Sequence, residues 1–196
     1  MNVTYKDAVM AFNVAKRATI MLLQNDMLEK TIAESPNLHK MRYTYLHRQA
    51  IFTLAKRLGI DATPYLCHDT EKYFLYVWLE EDITRECHRI LNRHHDYDKG
   101  VAVDRKTLIE MMLDWESARF SKPDKPRNAY DTLYKWMPVE MHEPMAALLK
   151  EYNLYYPTNE AGITAEEYKK KAEAITPAMI VAEIEKFKDL TFEEER

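Results

Sequence analysis

His47, the adjacent pair His68-Asp69, and Asp114 are the residues of this chain whose types and order could assemble a metal site. Imidazole nitrogen together with carboxylate oxygen suits a divalent ion among Mn, Fe, Zn, Co, Ni and Mg, and a site with open positions lets bound water deprotonate near neutral pH. Such a hydroxide can attack phosphorus. A helical step of about 100° lets neighbours such as His68 and Asp69 straddle an edge that faces two other helices. The competing account is a polar network or a set of helix caps. Three of the four lie in apolar stretches, where an unpaired polar group costs roughly a few kcal/mol, and this favours the metal.

Lys72 stands at i+4 from His68 and i+3 from Asp69, so on a helix it shares their face and could hold a phosphate oxygen. Glu71 reads as a surface carboxylate that could orient water or substrate from i+3 of His68. Lys72 and Glu71 are therefore the candidate catalytic side chains. Arg42 and Arg48 flank His47 and could meet phosphate, while Lys40, Arg85, Arg89, Arg93 and Arg119 read as solvated charges. Cys67 reads as a small core residue, and Tyr73, Phe74, Tyr76 and Trp78 read as core, because Leu75, Val77 and Leu79 leave no polar face among them. His39 and His142 read as surface or hydrogen-bonded residues.

These residues need helices to position them. Thr4 with Asp7 in the capping-box relation starts a first helix carrying Val9, Phe12, Ala15, Ile20 and Leu23. Ser35-Pro36 opens a second, from about 37 to 58, which Gly59 ends, with His47 in its middle. Thr63-Pro64 opens a third, from Tyr65 to about Leu79, bearing His68, Asp69 and Lys72. Asp82 caps a fourth running to about His95. Asp96 to Gly100 is a loop by composition, and Asp104 starts a fifth helix through about Phe120 that carries Asp114. Beyond the linker Ser121 to Arg127, shorter helices are expected at 130–136, 139–152, 164–173 and 176–188, with a frayed acidic end FEEER. The expected organisation is a metal-binding helical core over 1–120, the linker 121–127, and a helical extension over 128–196.

The segments YLHRQAIFTLAKRLG, PYLCHDTEKYF and LIEMMLDWESARF, in that order, resemble the HD superfamily of metal-dependent phosphohydrolases. The resemblance covers roughly residues 43 to 120. It implies an all-α, HD-like bundle in which His47, His68, Asp69 and Asp114 hold the metal, with a small phosphorylated substrate among deoxynucleotides, cyclic nucleotides or alarmones. Some members bind a second metal through extra histidines between the HD pair and the last aspartate, and His94 and His95 stand there. His88, one heptad before His95, is a weaker ligand candidate.

Composition narrows the alternatives. With 196 residues, 46% of them hydrophobic, the chain can bury one sizeable core, and its three glycines among many Met, Leu, Ala, Glu and Lys favour helices almost throughout. A net charge of -4 without a long basic run argues against an extended nucleic-acid groove. Two cysteines cannot form a disulfide framework, the opening MNVTYKDAV lacks a secretory pattern, and no apolar stretch reaches the roughly 20 residues that span a bilayer, so a cytoplasmic protein with no membrane segment is expected. No Walker glycine loop, GxGxxG, CxxC pair or GxSxG elbow occurs. The expected function is hydrolysis of a nucleotide or related small phosphate ester by metal-bound water. The alternative is an inactive HD-like binding or regulatory protein whose segment 128–195 is the partner surface.

Overall fold

Cap chemistry sets several helix starts. Thr4 forms a reciprocal capping box with Asp7, Asp104 accepts from Thr107 N–H, Asn128 from Asp131 N–H, and Thr176, followed by Pro177, from Met179 N–H. The computed structural model describes residues 3–99, 103–123, 127–158 and 162–192. Among these it contains helices and no strand: α1 (Tyr5–Gln24), α2 (Leu28–Glu34), α3 (Leu38–Arg57), α4 (Glu71–Trp78), α5 (Glu81–Leu91), α6 (Arg105–Ser121), α7 (Ala129–Trp136), α8 (His142–Glu151), α9 (Ala165–Glu173) and α10 (Pro177–Lys186), with short 3-10 segments at Thr63–Tyr65, Arg93–Lys99 and Val139–Met141. The all-α class is therefore observed. No helix of the described residues is long and apolar enough to cross a membrane. Gly100, residues 124–126 of the expected linker and the acidic end 193–196 lie outside the described residues.

Two compact units are formed by non-contiguous segments: Met1–Tyr45 with Cys67–His95 and Ala172–Arg196, and Leu46–Leu66 with Asp96–Lys171. In the first, α1 packs on α2, α4 and α5, and α10 packs on α2 and α4. Phe12 is wholly buried there, edge-on to Phe74 at 5.7 Å and to Phe192 at 4.9 Å between ring centroids. In the second, α6, α7 and α8 enclose Met111, Met112, Trp115, Leu133, Met145 and Leu149, and Ile51, Leu54, Ala55, Tyr65 and Leu113 form an adjoining cluster. The C-terminal end of α3 is set by Gly59 at φ 69°, which brings Ile60 N–H to Ala55 C=O at 2.9 Å in the manner of a Schellman motif.

Three expectations about elements are corrected. Helix α2 was not anticipated, because seven residues carry too little periodicity and no side-chain cap. The third helix does not begin at Tyr65: residues 66–70 form turns, and only Glu71 onward is helical, because Asp69 takes φ 61°. The fourth helix ends at Leu91 rather than His95, with Asn92 extended and residues 93–99 in a 3-10 turn.

Candidate metal centre

The left-handed backbone at Asp69 is the local event that builds the site. That conformation costs an ordinary L-residue roughly 1–2 kcal/mol, and Asp is among the few that adopt it. It turns the chain just before α4, with Thr70 Oγ1 donating to Cys67 C=O at 2.8 Å and Lys72 N–H to Asp69 C=O at 3.2 Å. His68 and Asp69 are thereby held 3% and 2% exposed. They sit on a turn, not on a helix face.

Within the first unit the polar side chains of this turn meet α5 and the segment after it. Asp69 Oδ1 lies 3.5 Å from His68 Nε2 and 3.5 Å from His88 Nε2, and His88 Nε2 lies 2.9 Å from His95 Nε2. The His94 ring is 4.6 Å from His68, 5.3 Å from His88 and 4.3 Å from His95. Ligands bound at about 2.1 Å in tetrahedral or octahedral array stand about 3.0 to 3.4 Å apart, and the three donor–donor separations of 2.9 to 3.5 Å are compatible with that spacing. His88, His94 and His95 each offer a nitrogen within 4.8 Å of the others, as do Asp69, Glu71 and His88 through their nearest donor atoms. Buried His, Asp and Glu side chains here could thus hold a metal ion.

Behind His88 stands Glu71. This side chain is fully buried, which corrects the reading of a surface carboxylate. Its Oε1 lies 2.5 Å from His88 Nδ1 and accepts from Asn92 Nδ2 at 3.0 Å, and Asn92 Nδ2 also donates to His88 C=O. Burial, with the charge of Asp69 added, pushes the Glu71 carboxyl up to about 7 against the pull of Lys72. Burial likewise holds His88 well below the ordinary imidazole value, reinforced by the Lys72 charge. Both partners are therefore driven toward their neutral forms. A divalent cation on the other side of the ring reverses that preference for Glu71.

Lys72 Nζ donates to Asp69 Oδ2 at 2.7 Å. Burial disfavours its charge, but Asp69 and Glu71 outweigh burial and raise its pKa, so it is a fixed cation. Lys72 reaches Asp69 from the first turn of α4 although Asp69 itself is not helical; an ammonium has three donors, and one of them is used there.

In the second unit His47 Nε2 lies 2.8 Å from Asp114 Oδ1, and His47 Nδ1 lies 3.1 Å from Ser121 Oγ and 3.4 Å from Ser117 Oγ. A separation of 2.8 Å fits both a hydrogen bond and two ligands of one ion. The expected set thus falls into His68, Asp69, His94 and His95 in one unit and His47 and Asp114 in the other. His88, which its heptad relation to His95 marks as a weaker candidate, stands between Glu71 on one side and Asp69 and His95 on the other.

Other side chains depart from expectation. Cys67 is exposed rather than in the core, because the turn directs it outward, and Trp78 is 46% exposed with its indole N–H on Thr19 Oγ1 at 2.9 Å. Arg119 is buried, not solvated: it pairs with Glu116 at 2.7 Å, and its carbonyl accepts from Ile163 N–H. Lys40 pairs with Glu81 at 2.7 Å. Arg48 is buried with Nη2 on Leu66 C=O, and Arg42 donates to Ile175 C=O. His39 is exposed on Pro36 C=O, and His142 contacts Met137 C=O. No family model matches this chain, and comparison with curated proteins and with solved structures finds no match either.

Proposed function

We propose that this protein is a metal-dependent phosphohydrolase of the HD type, acting on a nucleotide or related small phosphate ester. The observation that carries the reading is the convergence of the buried His68, Asp69, His88 and His94 with the half-buried His95, the pairs His68–Asp69, Asp69–His88 and His88–His95 having donor separations of 2.9 to 3.5 Å. Imidazole-rich sets with one carboxylate suit Mn, Fe, Co, Ni or Zn. A bound ion of this kind polarises a phosphoryl oxygen and makes water nucleophilic at neutral pH.

The chain's own residues do the rest. Asp69 supplies the negative charge among the ligands, Glu71 and Asn92 orient His88, and Lys72 holds Asp69 through Oδ2. The remaining N–H groups of the Lys72 ammonium are the donors assigned to the phosphate, where charge grows during the reaction.

Purified protein should carry about one or more transition-metal ions per chain by elemental analysis. It should release phosphate from one or more members of a panel of nucleotides and p-nitrophenyl phosphate, and EDTA should abolish the release. Metal-loaded protein that is silent across the panel would overturn the hydrolase reading.

A further inference from the structure

We propose that Glu71 is a positioning residue, not a ligand: it holds the Nδ1 face of His88 and so commits His88 Nε2 to the metal. The inference rests on the metal-site part of the functional reading and not on its chemistry.

His88 has two ring nitrogens with different surroundings. On the Nδ1 side are Glu71 Oε1 at 2.5 Å and Asn92 Nδ2 at 3.1 Å; on the Nε2 side are Asp69 Oδ1 at 3.5 Å and His95 Nε2 at 2.9 Å. The second side faces two further metal donors, whereas on the first the Glu71 carboxylate is itself engaged by Nδ1 and by Asn92 Nδ2. Oε1 is also braced by Asn92 Nδ2, which donates to His88 C=O as well, so carboxylate, amide and ring form one rigid group. Glu71 has no exposed surface, and its Oε2 has no hydrogen-bond partner among the described residues. Bulk solvent therefore does not reach it.

A buried carboxylate of this kind is costly unless a cation compensates it, and the nearest route to one runs through the imidazole. A carboxylate behind a ligating histidine fixes the ring's tautomer and orientation and strengthens its donor nitrogen, and loss of such a partner commonly lowers metal affinity about 10–100-fold. Through His88 the Glu71 charge therefore favours a borderline ion that imidazole binds well over Mg²⁺.

The test uses the full chain and Co²⁺ alone. In the wild type loaded with Co²⁺, or with Zn²⁺ for ¹⁵N-histidine NMR, His88 should be protonated at Nδ1 and metal-bound at Nε2. Glu71→Gln should bind Co²⁺ about 10–100-fold more weakly in isothermal titration while keeping helicity near wild type. Binding through Nδ1, or wild-type Co²⁺ affinity in Glu71→Gln, would overturn the proposal. Should Glu71→Gln fail to fold, the wild-type tautomer decides alone. A wild type that binds no Co²⁺ removes the metal site and this inference together. Co²⁺ binding without phosphate release removes only the hydrolase reading.

Discussion

The Nε2 atoms of His88 and His95 face each other at 2.9 Å, one from the last turn of α5 and the other from the 3-10 segment that follows. Two bare lone pairs would repel at that distance, so either a proton or a cation lies between the rings.

If a cation does, His88→Ala and His95→Ala should each lower Zn²⁺ affinity by at least about tenfold, the lower end of what losing even an outer partner costs. Exposed His39→Ala should leave it unchanged. Titration calorimetry on the three variants is the check, and wild-type affinity in either of the first two would exclude that ring from the set.

Asp69 is a left-handed residue at φ 61° and, in the proposed site, a metal ligand as well. Asparagine tolerates that backbone and alanine does not. Asp69→Asn and Asp69→Ala should both lose metal and the ion pair with Lys72, and Asp69→Ala should be less stable than Asp69→Asn by about 1–2 kcal/mol in urea unfolding. Equal midpoints for the two metal-free variants would show that the backbone there carries no strain.

Lys72 donates to the Asp69 carboxylate that, in the proposed site, would also bind the metal ion. Breaking a buried pair leaves an uncompensated charge at a cost of about 3–5 kcal/mol, so metal-free Lys72→Ala should be destabilised on that scale. Saturating Zn²⁺ should recover part of the loss, because the cation then neutralises Asp69. The increase in melting temperature on adding Zn²⁺ should be larger in Lys72→Ala than in the wild type; an equal or smaller increase would mean that Lys72 and metal act on Asp69 independently.

Glu116 gives a pH dependence of its own. Burial raises its pKa above the usual 4.5, although Ala129 N–H and the Arg119 guanidinium pull the other way. A carboxyl whose folded pKa is raised contributes most below its unfolded value, and stability falls as pH climbs from there to the folded value. Glu116→Gln does not titrate, so the wild type's advantage over it in urea unfolding should be largest near the unfolded pKa and shrink toward neutrality. An advantage that grows over that window would reverse the sign assigned to burial.

Helix starts were readable because a cap is decided within four residues: Thr4 with Asp7, Asp104 with Thr107, Thr176 with Met179, and Gly59 as the closing residue all act locally. The His-Asp pair and the trailing His94-His95 were readable as chemistry for the same reason, since residue type and order are sequence properties. What tertiary structure alone decided is where each polar atom points. One positive φ at Asp69 moved the pair from a helix to a turn, and that sign is not encoded in a hydrophobic period. Packing of α4 against α5 then brought Glu71 against His88, 17 residues away, where a carboxylate that local pattern places in water is wholly enclosed. Such a contact depends on side chains from separate elements competing for the same buried volume, and no window of sequence contains both competitors.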